Sequence, residues 1–488
     1  MSELDRTVTG GAGMRSRGEG RGGAGRTGDA IALYHRLLES DRELAAASWR
    51  ALDEGMRAEG LFFGDRPLCS VLRPHMITVS QYERVREACR LVIAATVKLG
   101  ARMLQDERLL EPLRLSPRER ELVRVDPGYD AVSAISRLDA FLTGDGNGDG
   151  EGLHFIEYNA ETPAGGAYTD ALTALFLRLP VVRRFLDEGG YSLQTFDTRG
   201  ALTELLLRCY RSWDERSGGG GRNAPETPSL AIVDWESVPT SYEFELCRRY
   251  FAERGLPALI VDPRALEYTD GVLRHGDTKI NLVYKRVLVH ELLAREDEAP
   301  ALLRAYADGA VCMVNSPRDK LFHKKALFAL LTDDAYQDGF SAEERAAVAR
   351  HVPWTRRVAE GGVTFHGDRV DLLDLLRTRR ERFVLKPNDD YGGKGVRVGW
   401  EGSEGAWDAA LAEALAGDYV VQERVPVARA AFPDMASGAL DFRELSVDMD
   451  PYIIDGAANG FLTRVAGTTL LNVTAGGGST VPTFVLHE

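Results

Sequence analysis

Residues 382–397, RFVLKPNDDYGGKGVR, decide how the rest of the chain is read. Phe383, Val384 and Leu385 form an apolar run of buried-strand length, and Lys386-Pro387 closes it, so a cation stands at a strand end. Asn388, Asp389, Asp390 and Tyr391 lead into Gly392, Gly393, Lys394 and Gly395, where missing side chains let backbone N–H groups approach a bound group closely. Two lysines around such a loop suit a polyphosphate; the competing reading is a plain hairpin turn. The pattern is not G-x-x-x-x-G-K-[ST], because no Ser or Thr follows Lys394, and it is not G-x-G-x-x-G opening a helix.

Downstream, Tyr419-Val420-Val421-Gln422-Glu423-Arg424-Val425 is a second apolar strand, ending in an amide and a carboxylate. The order strand, lysine, glycine loop, strand, Gln-Glu resembles the nucleotide-binding half of the ATP-grasp fold. That resemblance implies that Lys386, Gly392, Gly393, Lys394 and Gly395 hold the phosphates of ATP, and that Gln422 and Glu423 receive its base and sugar.

A hairpin lies far upstream. Residues 134–142, AISRLDAFL, alternate like a strand, TGDGNGDGEG follows, and residues 153–159, LHFIEYN, read as the return strand. Arg137 and Asp139 share one strand face, as do Glu157 and Asn159. If the hairpin closes with Asp139 beside Glu157, one patch carries two carboxylates and an amide, hard oxygen ligands of the kind Mg²⁺ takes, beside a guanidinium. An exposed face of solvated charges is the alternative. The loop matches half of a calcium motif at Asp145, Asn147, Asp149 and Gly150, but its twelfth position is Ile156 instead of Glu, so a flexible turn is expected. R-x-D followed by E-Y-N-A-E-T-P (157–163) resembles the magnesium-site region of the glutathionylspermidine synthetase family and its circularly permuted ATP-grasp relatives. The resemblance implies Asp139, Glu157 and Asn159 as metal ligands, Arg137 near the transferred phosphate, and a nucleotide-contacting lysine at Lys325. Ordinary ATP-grasp chains carry the metal ligands after the hinge strand; here they precede Lys386, which is the permutation.

A chain of 488 residues exceeds one compact core, so two or three packed units are expected. Lys plus Arg number 60 against 74 Asp plus Glu, a formal charge of -14 that argues against a nucleic-acid partner. The five cysteines, Cys69, Cys89, Cys209, Cys247 and Cys312, are widely spaced without C-x-x-C, which indicates neither a disulfide framework nor a zinc site. No apolar run reaches membrane-span length and the N-terminus lacks an apolar core segment, so a cytoplasmic protein without membrane contact is expected. Residues 1–28, Gly- and Arg-rich, are expected to form a disordered tail. Residues 29–216 read as a helical region plus the hairpin, and residues 217–228 as a linker. Within 229–315, the runs LAIVD (230–234) and ALIVD (258–262) flank a helix, a βαβ unit that resembles the domain preceding the ATP-grasp module; Lys285 and Arg286 read there as a surface strand end, the alternative being that they face an anionic ligand. Residues 316–488 form the nucleotide-binding part, opening with one helix over 315–331. Near the C-terminus Asp448 and Asp450 share a strand face and, with Asn472, make a rival metal set.

The expected fold is α/β (α+β): a circularly permuted ATP-grasp module with a preceding βαβ domain and a helical N-terminal region. The resemblance implies an ATP- and Mg²⁺-dependent ligase joining a small-molecule carboxylate to an amine (amino acid, peptide or polyamine class) through an acyl phosphate. A phosphotransferase that stops at the phosphorylated acid and an inactive nucleotide-binding scaffold are the alternatives.

Overall fold

A computed structural model describes residues 5–9, 23–131, 133–144, 152–216, 225–467 and 478–487. The fold mixes sheets and helices, as expected. Its central sheet is antiparallel and runs Gly478–Val481, Ala457–Ala466, Asp441–Ile454, Ile135–Leu142, Leu153–Asn159, with Ala428–Asp434 also paired to Asp441–Ile454. The N-terminal hairpin and the C-terminal strands therefore build one surface, and the Ala140 N–H reaches the Asp450 carboxylate at 2.9 Å.

A second antiparallel sheet carries the organising stretch: Thr355–Arg357, Tyr419–Glu423, Phe383–Pro387, Arg397–Val398. Alternation sorts its side chains. Phe383, Leu385 and Val421 point into a core with Trp354, Leu376 and Trp407, so Val384, Lys386 and Gln422 face the other way. A third sheet, Cys312–Val314, Leu282–Lys285, Leu230–Val233, Ala258–Val261, is fully parallel, with helix Ser241–Glu253 connecting its last two strands. A fourth joins Asp5–Thr9, Ser192–Phe196, Thr483–His487 and His75–Thr78. No helix among the described residues is long and apolar enough to cross a membrane, and all five cysteines are free and buried.

Several local expectations change. Within the expected tail, Asp5–Thr9 pairs with Ser192–Phe196, and a helix already begins at Gly23. Residues 315–331 do not make one helix but a 3-10 turn, Pro317–Asp319, and two short helices, Lys320–His323 and Ala326–Leu331. Lys285 and Arg286 are not at the surface: Lys285 donates to the Val287 carbonyl at 3.0 Å, and Arg286 pairs with Glu243 at 3.2 Å, both inside the protein. The calcium-like loop residues Asp145, Asn147, Asp149 and Gly150, linker residues 217–224 and Asn472 lie outside the described residues.

Candidate functional site

A cavity of about 830 Å³ opens between the glycine loop and the two antiparallel sheets. Arg137, Asp139, Glu157, Asn159, Lys325, Lys386, Gly392, Gly393, Lys394, Gln422 and Glu423 all line it, so residues from four separated segments meet in one place. Gly395 does not line it. With φ at +67° it makes the turn behind the loop, where an added Cβ would stand 2.6 Å from Pro387 Cγ.

Hairpin register puts Asp139 directly opposite Glu157 and Arg137 opposite Asn159. Between Asp139 and Ala140 the register slips, leaving Ile156 unpaired in a bulge. The slip has two consequences. Phe155 turns into the core instead of sharing the face of Glu157, and Ile156 joins the cavity wall, where its carbonyl accepts from Lys386 Nζ at 3.0 Å. Lys386 also donates to Gln422 Oε1 at 2.7 Å, and Gln422 Nε2 donates to Thr355 Oγ1 at 3.1 Å. Burial, aided by the nearby Lys325 charge, lowers the Lys386 pKa to about 8, against the pull of Glu157.

Arg464 organises the carboxylates. Its guanidinium reaches Asp139 at 2.9 Å, Asp448 at 2.7 Å and Asp450 at 2.8 Å, while Arg137 grips Asp139 through two bonds of 2.7 and 3.1 Å. Burial would raise the Asp139 pKa, but Arg137 and Arg464 hold it down to about 2. Burial raises Asp448 to about 6 despite Arg464, and raises Asp450 as well. Arg137 thus serves Asp139 in this arrangement. Arg464 was legible only as one polar residue among several; its signal is that it stands opposite Asp448 in the strand pair, a partnership that needs the register.

The hard-cation ligands differ in readiness. Glu157, 22% exposed at its side chain, is met among the described residues only by Lys325 Nζ at 3.2 Å. Asn159 spends its Nδ2 on Asp139 at 2.9 Å and leaves Oδ1 without a protein partner among the described residues. Both oxygens of Asp139 are taken by guanidinium groups. The donor set fits Mg²⁺ through Glu157 and Asn159, with Asp139 contributing once an arginine yields, the rest of the shell falling to water and substrate oxygens. A different grouping, Glu161, His323 and Asp389, brings ligand atoms within 4.8 Å of one another. Lysines already occupy that space: Lys320 Nζ lies 2.9 Å from Glu161 and 2.6 Å from Asp389, and Lys324 Nζ lies 2.5 Å from Asp389. This network instead ties the start of the glycine loop to the short helices that flank Lys325.

On the hinge side, Glu423 is paired with Arg382 at 2.5 Å and His366 at 2.9 Å. Lys394 Nζ rests 4.5 Å above the Tyr391 ring, free of carboxylate partners among the described residues. Val384, Val396, Val398 and Trp400 give this end of the cavity apolar walls suited to a flat base.

No family model matches the chain, and no curated protein matches it. Among solved structures, a glutathione synthetase-like effector from Globodera pallida, in its apo form, superposes with a TM-score of 0.55 at 15% identity, covering 91% of this chain and 97% of its own. At that identity the likeness is one of fold. A protein assigned as a gamma-glutamylcysteine synthetase from Methylobacillus flagellatus KT is more distant, with a TM-score of 0.38, 11% identity, and 84% and 89% of the two chains covered.

Proposed function

We propose that this chain is an ATP- and Mg²⁺-dependent carboxylate–amine ligase built as a circularly permuted ATP-grasp module. The observation that carries the proposal is the convergence of Lys325, Lys386 and Lys394 with Asp139, Glu157 and Asn159 on one cavity. The central sheet supports the permutation, since strands from 135–159 complete a sheet whose other strands follow the hinge. Likeness in fold to a glutathione synthetase-like effector agrees with this class, and kinship with glutathionylspermidine synthetases rests on the R-x-D and E-Y-N-A-E-T-P motifs. Neither glutathione nor spermidine is implied as a substrate. The units 29–216, 229–315 and 316–488 and a cytoplasmic location belong to the same proposal.

In this reading Val384, Val398 and Trp400 sandwich the base, Gln422 and Glu423 meet its polar edge and the ribose, and Lys386, Lys394 and the loop N–H groups take the phosphates. Glu157 and Asn159, with Asp139, would hold Mg²⁺, which when bound would neutralise charge between a carboxylate and a triphosphate that otherwise repel. The carboxylate oxygen attacks the γ-phosphorus as the bond to ADP breaks; the amine nitrogen then attacks the acyl carbon, phosphate leaves, and the nitrogen sheds a proton. Lys386 and Lys325 stabilise charge spreading over the γ-phosphoryl oxygens, and the glycine loop excludes water from the acyl phosphate.

The test is ADP release from MgATP in the presence of pooled acids and amines, followed by mass spectrometry. A product lighter than acid plus amine by one water is expected, with release falling by roughly 10²–10³ in Glu157→Gln and in Lys386→Ala. Phosphorylated acid without amine incorporation would identify a phosphotransferase; ATP binding with no turnover against any pool would favour the scaffold.

A further inference from the structure

Five arginines reach the cavity or its hinge, and they differ in company. Arg137, Arg382 and Arg464 each hold a carboxylate. Arg424 and Arg429 line the cavity with no carboxylate partner among the described residues. Arg424 follows the hinge directly and lies over Trp400, 4.1 Å from the ring centroid, so its charge belongs to the nucleotide end.

Arg429 stands elsewhere. The register places it opposite Ser446, two residues before Asp448, which in turn faces Arg464 across the next strand. Ser446, Asp448 and Asp450 share one strand face, so Arg429 extends the same surface that carries the carboxylates and Asp139. Its Nη2 donates to the Glu444 carbonyl at 2.8 Å and its Nη1 approaches Ser446 Oγ at 3.4 Å. Neutral acceptors thereby fix the guanidinium, and no carboxylate among the described residues compensates its charge. One strand spacing across and two residues along separate it from Asp448, roughly 8 Å between backbone positions.

We propose that Arg429 binds a second anionic group of the acid substrate, which is therefore a dicarboxylic acid. The inference rests on the ligase reading, since it takes the reacting carboxylate to lie at Glu157, Asn159 and Lys386. Arg429 would set specificity and take no part in phosphoryl transfer.

The protein saturated with Mg²⁺ and a non-hydrolysable ATP analogue is dialysed against an equimolar mixture of glutarate, adipate, pimelate and suberate, their monoamides, and the monoacids pentanoate to octanoate, and the retained acids are quantified by mass spectrometry. Diacids are expected to be retained at least tenfold over monoacids and monoamides. Arg429→Gln, an exposed position that the fold tolerates, is expected to lower diacid retention by about 10- to 100-fold, to the monoacid level, while analogue binding stays unchanged. Equal retention of monoacids, retention of no diacid with the analogue bound, or diacid retention unaffected by Arg429→Gln overturns the proposal. Failure of the analogue itself to bind overturns the ligase reading, and this inference falls with it.

Discussion

Lys386 is held between the Ile156 carbonyl and Gln422 Oε1 inside the cavity, and that environment makes a quantitative demand. Buried, its pKa falls from 10.5 to about 8, because desolvation disfavours the ammonium more than Glu157 restores it. In the proposed site a triphosphate beside it would favour the charged form, so binding above pH 8 would take up a proton. Affinity for an ATP analogue is expected to weaken on the order of tenfold between pH 7.5 and 9, and the dependence should flatten in Lys386→Arg, whose side chain stays charged. Calorimetry at the two pH values decides it; a flat wild-type profile would remove Lys386 from the phosphate site. Stability runs by the same linkage. Between about pH 8 and 10.5 the unfolded chain binds the proton that folded Lys386 has lost, so this group adds stability as pH rises through that window. Arg464 teaches the opposite lesson. Its bonds to Asp139, Asp448 and Asp450 come from strand pairs across the sheet, and an arginine in a C-terminal strand carries no local mark of them.

At the scale of elements, the hairpin and the glycine loop were both readable, and both hold a detail that was not. Alternation placed Glu157 and Asn159 on one face correctly, but strict alternation would also put Phe155 there; the bulge at Ile156 sends that ring inward and provides a carbonyl for Lys386. Bulges arise where a sheet must bend to fit its neighbours, which is a tertiary requirement. In the loop, Gly392, Gly393 and Gly395 all have positive φ. The first two line the cavity, whereas Gly395 packs against Pro387 and Tyr419. Gly395→Ala combines a left-handed backbone with a contact at 2.6 Å and is expected to cost about 1–3 kcal/mol. Urea unfolding measures that cost, and a neutral effect would show that the loop adopts another conformation in solution.

The whole molecule is tied together by its chain ends. Thr483–His487 lies between Ser192–Phe196, antiparallel, and His75–Thr78, parallel, with Phe484 and Val485 fully buried. Phe484 belongs to a core that also includes Tyr34, Phe185 and Phe251. Phe484→Ala is expected to cost about 3–5 kcal/mol and to lower the thermal midpoint of the entire chain in a single transition, read by calorimetry. An early, separate transition would mean that the C-terminal strand is dispensable to the rest. By itself the sequence determined the strand, loop and hinge that suit a nucleotide, the two strands of the acidic hairpin, and the βαβ block, because apolar periodicity, turn chemistry and glycine content act over a few neighbouring residues. Only the tertiary structure decided that Arg137 and Arg464 clamp Asp139, that Lys320 and Lys324 fill the cluster at Glu161 and Asp389, and that Arg429 has no counter-ion among the described residues. Those outcomes depend on sheet register and on strands joined across the length of the chain, and long-range charge pairing leaves no periodic trace in the residues that make it.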